Sequence, residues 1–175
     1  MSGEIAMTDD RVRTFVHTER GRLPFQRYLV EGRARGRVRR IEVAGVGHAR
    51  PAPGVLDAFR RADAVVIAPS NPFVSVGPIL AVRGVRAALR RASAPVVAIS
   101  PLIGKRPVKG PLHRMLAGLG HEVSSVGVAR CYRGLVDVFV LDRADAALGM
   151  RPVVTDTLMT TAARAARLAG AVLAR

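Results

Sequence analysis

Three short stretches of this 175-residue chain combine residue types that bind phosphate. The first is Ala68-Pro69-Ser70-Asn71-Pro72-Phe73-Val74-Ser75-Val76-Gly77-Pro78. It leaves an apolar run and opens a helix near Ser75, where free N–H groups and the positive dipole end attract anions. Ser70, Asn71 and Ser75 can add side-chain hydrogen bonds, while Pro69 and Pro72 stiffen the loop. The same residues also fit ordinary capping, with Ser75 as N-cap and Asn71 closing an Asx turn. The second stretch, Ser100 to Pro111, holds Lys105 and Lys109, the only lysines among 28 basic residues. A lysine between a strand and a helix is a mobile cation for a phosphoryl group, or else a solvated surface charge. Lysine at just these places in an arginine-saturated chain favours the first reading. The third stretch is Thr155-Asp156-Thr157. Asp156 can cap the helix that follows, accept a hydrogen bond from a ribose or base, or contact a metal indirectly.

Other chemistry-bearing residues are less informative. His17, His48, His113 and His121 lack metal-ligand spacing, and the single cysteine, Cys131, has no nucleophile's signature around it. Asp9 and Asp10 are adjacent, so in a strand they point to opposite faces and make no carboxylate pair.

The elements that must position these loops fall into two parts. Residues 8–50 read as extended. Val12 to Thr18 alternates imperfectly, the turn Glu19-Arg20-Gly21-Arg22 follows, and Phe25 to Val30 returns as a second strand. Val38 to Val43 is a third, with Val38, Arg40 and Glu42 on one face and Arg39, Ile41 and Val43 on the other, at a sheet edge. Residues 51–175 alternate helices and strands. Val55 to Arg61 is a helix, and Asp63 to Ala68 an apolar strand buried on both faces. Pro78 to Arg91 is a helix with Ile79, Val82, Val85 and Leu89 at helical spacing, followed by a buried strand from Pro95 to Ser100. Pro111 to Leu119 is a helix, Val136 to Leu141 and Pro152 to Thr155 are strands, and Thr161 to Ala174 is an amphipathic closing helix. This order predicts one α/β domain, Rossmann-like, with a mostly parallel sheet, helices on both faces and an N-terminal antiparallel segment. Ligands in such folds sit outside the carboxyl ends of the strands, where all three stretches lie.

Composition narrows the function classes. With 49% hydrophobic residues the chain can build one core, and no run of eighteen apolar residues offers a membrane span. The first ten residues carry acids where a signal peptide needs bases, and one cysteine permits no intrachain disulfide, so a cytoplasmic protein is expected. A formal charge of +15 invites a nucleic-acid reading. The densest basic stretch, Arg33 to Arg40, lacks the interleaved aromatics on which bases stack, so a diffuse basic surface that attracts anionic ligands is preferred.

Four segments together resemble a known family. They are Asp9-Asp10-Arg11-Val12-Arg13-Thr14 with Val16-His17-Thr18, Ala62 to Pro72, Lys109-Gly110-Pro111, and Val154-Thr155-Asp156-Thr157-Leu158-Met159. In that order, from about Met7 to the C-terminus, they resemble the 2-phospho-L-lactate transferases of coenzyme F420 biosynthesis. The resemblance implies transfer of a 2-phospholactyl or phosphoenolpyruvyl group from a guanosine diphosphate-linked donor (lactyl- or enolpyruvyl-diphosphoguanosine) to the deazaflavin alcohol Fo, releasing GMP with Mg2+ as cofactor. It further implies that Ser70, Asn71, Pro72, Ser75 and Gly110 hold donor phosphates or the nucleotide. Lys109 would stabilise the transferring phosphoryl group, and Thr18, Gln26 and Asp156 would line the acceptor or nucleotide pocket. An alternative is a nucleotide- or sugar-nucleotide-binding regulatory protein of the same superfamily, without transfer activity.

The chain departs from that family in three ways. Family members are roughly twice as long and begin with a strand, a Gly-Gly-x-Gly-Gly-x-Lys type turn and aspartates taken to bind metal and acceptor. Gly45-Val46-Gly47-His48 is no substitute for that turn. The segment from Asp142 to Met150 is shorter than the family's, and Arg20, Arg35 and Arg143 stand where acids are frequent. The metal ligands are therefore expected in an N-terminal half outside this sequence. A halved parallel sheet exposes an edge and an apolar face. The isolated chain is accordingly expected to be inactive, and to be marginal, to aggregate, or to pair as a homodimer or with a complementing N-terminal half.

Overall fold

The computed structural model describes residues 3–145 and 153–174; Gly149-Met150-Arg151 and the predicted strand's Pro152 lie outside them. Val138, Phe139, Val140, Leu141 and Asp142 form a central strand for the same reason that Val96 to Ile99 do: short β-branched and aromatic runs, almost wholly buried. Four parallel strands make the main sheet in the order β4-β5-β8-β9, with β4 at Val65–Ile67, β5 at Val96–Ile99, β8 at Val138–Asp142 and β9 at Val153–Thr155. Their register runs Val66↔Val97, Ala98↔Phe139 and Leu141↔Val154.

Helices cover both faces, as the alternation of elements predicts. On one side α2 (Val55–Arg61), α3 (Val76–Ala81), α4 (Val85–Arg91), α5 (Leu112–Gly118) and α6 (Ser125–Cys131) enclose a core containing Leu80, Leu89, Ala98, Leu116, Val128 and Leu141. On the other, α7 (Ala162–Leu173) buries Leu168 and Val172 against Val97, Ile99 and Val140. The expected open apolar face is therefore closed over the central strands. What remains is one valine at each sheet edge, Val66 (44% exposed) and Val154 (41%). Strand β4 is consequently an edge strand and not, as its composition predicts, buried on both faces. Among the described residues it pairs with β5 alone, and α7 lies over β5 and β8.

The N-terminal part forms a separate three-stranded antiparallel sheet, ordered β2-β1-β3, from β1 (Arg13–Thr18), β2 (Gly21–Pro24) and β3 (Val38–Ala44). Two expectations are corrected here. Phe25 to Val30 is not extended, because Pro24 ends the strand and starts helix α1 (Phe25–Leu29), which brings Tyr28 into the core. And Val38 does not share a face with Arg40 and Glu42. A register shift after His17↔Arg40 pairs Thr18 with Val38, so the strand skips a residue and Val38 turns inward beside Val16, Tyr28 and Met115. Helix α5 closes that core at very short range. A Cβ on Gly118 would collide with the Val38 carbonyl oxygen, so only glycine fits.

Further differences come from glycine. Pro78 to Arg91 is two helices instead of one, because Gly84 adopts φ 84° after Val82 has left helical geometry. Strands β6 (Leu102–Ile103) and β7 (Arg106–Pro107) form a hairpin where only a loop is predicted, and α6 is absent from the sequence reading.

The outer face of the antiparallel sheet carries a charge cluster. Arg22 donates to both Glu42 oxygens (3.1 and 2.8 Å), and His17 Nε2 lies 2.6 Å from Glu42 Oε2. Arg22 and His17 hold the Glu42 carboxyl down to about 2. A carboxyl depressed on folding contributes stability above its unfolded value, lost as pH falls towards the folded one. Melting temperature is therefore expected to fall between about pH 4.5 and 2. Glu42→Gln should flatten that part of the profile in thermal melts, whereas an unchanged profile would remove Glu42 from the acid response.

Candidate functional site

The carboxyl ends of the parallel strands meet in one cavity of about 880 Å3, within the ~300–1,000 Å3 range of small-ligand sites. Its walls come from the loops that the sequence singles out, together with the antiparallel part. Pro69, Ser70, Asn71, Val74 and Ser75 follow β4. Ser100, Pro101, Val108, Lys109 and Gly110 follow β5, Thr157 to Thr160 follow β9, and Phe25 and Leu29 come from α1. Lys109 is the one charged side chain among these described lining residues, and no histidine or carboxylate joins it. Such a cavity offers hydroxyls, backbone groups and a single cation on an apolar frame, a composition suited to an anion attached to a larger organic group.

Of the predicted residues, Ser70, Asn71, Ser75, Lys109 and Gly110 are brought together. Asn71 spends its side chain on the loop itself: Oδ1 accepts from Phe73 N (2.9 Å) and Val74 N (3.4 Å), and Nδ2 points to Met115 Sδ at 3.2 Å. The Asx turn read from the sequence is thus present, and Asn71 shapes the wall. Ser75 occupies the N-cap position of α3, makes no side-chain capping bond, and is exposed to the cavity. Helix α3 has six residues, so its dipole is weaker than the predicted fourteen-residue span would give.

Pro72 is buried behind the loop and does not line the cavity. Its carbonyl instead fixes how closely the loop meets α3, since a Cβ on Gly77 would stand 2.8 Å from Pro72 O. Helix propensity alone favours alanine over glycine by about 1 kcal/mol, but a contact this short with backbone outweighs it. Gly77→Ala is expected to destabilise by about 1–2 kcal/mol, read as a lower denaturant midpoint; a raised midpoint would show that the loop yields freely.

The remaining predicted residues lie elsewhere. Gln26 lines a side pocket with Arg13, Thr14, Phe15 and Pro24, which shares Phe25, Val74 and Ser75 with the main cavity. Thr18 does not reach either hollow: its hydroxyl closes the β1–β2 turn, donating to Gly21 O (3.3 Å) and accepting from Arg20 N (3.1 Å). Asp156 lies outside the main cavity, in a polar hollow with Asp142, Arg143, Thr155, Arg164 and Arg167. It accepts from Leu158 N at 3.1 Å, and the cap of α7 is Thr161, not Asp156. Asp10 accepts from Arg50 N at 2.8 Å and holds the N-terminal segment. Cys131 is half-buried, and burial pushes its thiol up, away from a reactive thiolate.

Two buried aspartates that sequence reading passed over support the walls. Asp142, 8% exposed at the end of β8, accepts from Thr157 N (2.9 Å), Thr157 Oγ1 (3.0 Å) and Ala144 N (3.0 Å). Burial pushes its carboxyl up, but these hydrogen bonds and Arg143 outweigh it and hold it below the usual carboxylate value. Asp145, 5% exposed, accepts from Gly104 N, Lys105 N and Ser125 Oγ. The signal for Asp142 is a carboxylate at a strand's carboxyl end with a threonine at the next strand's end. The hairpin signal is Gly104-Lys105 between two short strands, obscured by Pro107.

Among the described residues no three His, Cys, Asp or Glu side chains group to hold a metal ion, and no carboxylate lines the cavity. Nor is any described helix long and apolar enough to cross a membrane.

Comparison with known proteins identifies the family. The family model described as 2-phospho-L-lactate transferase CofD matches residues 4–168. A 2-phospho-L-lactate transferase of Methanosarcina mazei is 39% identical over 172 residues, covering 94% of this chain and 56% of that protein. A phosphoenolpyruvate transferase of Streptomyces griseus is 40% identical over 147 residues, covering 81% and 46%. The chain thus spans about half the length of the curated relatives it matches. A crystal structure of a Bacillus halodurans protein superposes with a TM-score of 0.64 at 17% identity, covering 95% of this chain and 60% of that one, a likeness of fold. By the match along nearly its whole length, this chain belongs to the 2-phospho-L-lactate transferase CofD family.

Proposed function

We propose that this chain supplies the donor-phosphate side of a phosphotransferase active site in coenzyme F420 biosynthesis. The donor is a lactyl- or enolpyruvyl-diphosphoguanosine and the acceptor is Fo. The terminal ribityl hydroxyl of Fo attacks the phosphorus that carries the three-carbon acid. The bridging P–O bond breaks, GMP leaves with the bridging oxygen and the bonding pair, and the hydroxyl proton passes to solvent or to the departing phosphate. The observation that carries this reading is the convergence of three strand-end loops and Lys109 on one cavity.

On this reading Ser70, Ser75 and the backbone of Gly110 hold donor oxygens, with Asn71 keeping the loop in shape. Lys109 offsets charge on the transferring phosphoryl group. No carboxylate or histidine lines the cavity among the described residues, so this chain contributes position and charge rather than a general base. Gln26, in the adjoining pocket, faces the nucleotide or acceptor. Asp156 and Thr18 act at a distance, through the Thr157–Thr160 loop and the β1–β2 turn. No step is assigned to Mg2+ on this chain.

The test is GMP release from the donor in the presence of Fo and Mg2+. It is run with the purified chain alone and with a family N-terminal half added. Release only in the mixture is expected. Release by the chain alone would overturn the need for a second half, and no release in either would overturn the transferase reading.

A further inference from the structure

We propose that Asp145 is a positioning residue that fixes where the Lys109 segment stands at the cavity, acting through the β6–β7 hairpin. The inference rests on reading the cavity as a donor-phosphate site.

Asp145 ends a 3-10 turn, Arg143–Asp145, directly after β8. Carboxylates are seldom buried this deeply unless they are held by partners. Its partners are all hydrogen-bond donors: Oδ2 accepts from Gly104 N (3.2 Å) and Ser125 Oγ (3.3 Å), and Oδ1 from Lys105 N (3.3 Å). Two of these donors form the hairpin turn. Gly104 and Lys105 both have positive φ, 57° and 65°, the backbone of a two-residue turn that suits the twist of a hairpin. Lysine is strained in that conformation, and the carboxylate rewards the strained arrangement with a charge-assisted bond.

The same carboxylate reaches the other end of the hairpin through two hydroxyls. Ser125 Oγ lies 2.8 Å from Ser100 Oγ, which is 1% exposed and accepts from Leu102 N at 3.2 Å. Ser100 is itself a wall of the cavity. Strand β7 then folds back on β6 through Leu102↔Pro107 and Ile103↔Arg106, and Val108 N donates to Pro101 O at 3.4 Å. The place at which Lys109 emerges is therefore set by the hairpin. Packing anchors the base of the hairpin, where Leu102 is buried in the main core and Ile103 and Pro107 are half-buried. The turn and the stretch leading to Lys109 are different, because Gly104, Lys105, Arg106, Val108 and Lys109 are exposed. Asp145 is what ties that exposed turn to the sheet.

The experiment is calorimetric titration of the full chain with GDP at low ionic strength, using Asp145→Asn, Ser125→Ala, Lys109→Ala and the double variant Asp145→Asn/Lys109→Ala. Asp145→Asn should weaken GDP binding by about tenfold, the effect of losing a hydrogen-bonded charge. Ser125→Ala, which keeps the carboxylate, should weaken it by about threefold and guards against a folding failure of the first variant. In the Lys109→Ala background, adding Asp145→Asn should change affinity by less than about twofold, because the group being positioned is gone. Equal losses with and without Lys109 would show a general structural role and overturn the proposal. So would unchanged GDP affinity in both Asp145→Asn and Ser125→Ala. A wild-type chain that binds no GDP would overturn the donor-site reading and the role of Lys109 with it.

Discussion

Replacing Lys109 with alanine is expected to lower the rate of the proposed transfer by about 10²–10³-fold, mostly in kcat. The reason is the sparsity of charge in the cavity: Lys109 is the only ionised side chain among its described walls. In the proposed transfer, negative charge moves onto the leaving GMP oxygen and the equatorial oxygens as the bridging P–O bond breaks. A cation placed beforehand stabilises that charge without reorganisation, and more strongly than bulk water would. The ground-state donor already carries negative charge, so KM should rise as well, by a smaller factor. Arginine at this position keeps the charge but presents a planar fork, and should restore only part of the rate. Lys109 is exposed. Thermal stability should accordingly remain within about 2 °C, since surface substitutions rarely cost more than ~0.5 kcal/mol. Steady-state GMP formation by the complemented enzyme, together with a melt of each variant, separates the two effects. A loss under about twofold would show that Lys109 does not meet the reacting phosphoryl group.

The largest expected effect on stability comes from Asp142→Ala. Three donors converge on this carboxylate, and two of them belong to Thr157, which is 5% exposed. Truncation leaves these donors unpaired where water reaches them poorly, at a cost of about 2–4 kcal/mol. In a chain of this size that corresponds to a melting temperature lower by roughly 5–15 °C. Thr157 begins the wall that runs to Thr160, so GDP binding should weaken too. Asp142→Asn keeps one acceptor and should cost about half as much. The pH dependence has a definite sign. The carboxyl is lowered on folding, so its contribution is complete above the unfolded carboxylate value near ~4 and is lost as pH falls through the lower folded value. A melt of Asp142→Ala that matches the wild type would show that the Thr157 loop is held by other contacts.

The loops were readable because their chemistry is local. Ser70, Asn71 and Ser75 stand between an apolar run and a helix start, and Lys109 is conspicuous by being lysine. Their meeting in one cavity follows from parallel strands, whose carboxyl ends all lie on one side of the sheet. What stayed hidden depends on contacts distant in sequence. Asp145 finds Gly104 and Lys105 some forty residues back, and no periodicity signals that. Val38 turned inward because of a register shift, which strict alternation cannot express. The predicted single helix from Pro78 split because Gly84 reads as a tolerated helix interior residue until its φ is known. Helix α6 was missed although Ser124 caps it, with Oγ accepting from Gly127 N at 3.1 Å. Its start is a Ser-Ser-Val-Gly run that resembles a loop. A Cβ on Gly127 would lie within contact of Glu122 O, so that glycine serves packing and not flexibility.

The central claim is that the cavity between these loops receives the donor's phosphates. Amide chemical-shift mapping of the full chain on titration with GDP tests it most directly. The largest changes are expected at Ser70, Ser75, Gly110 and the Thr157–Thr160 amides, with small ones at Gly45 to His48. Changes centred on Gly45 to His48 or on the outer face of the antiparallel sheet, with the cavity amides unmoved at saturating GDP, would contradict it.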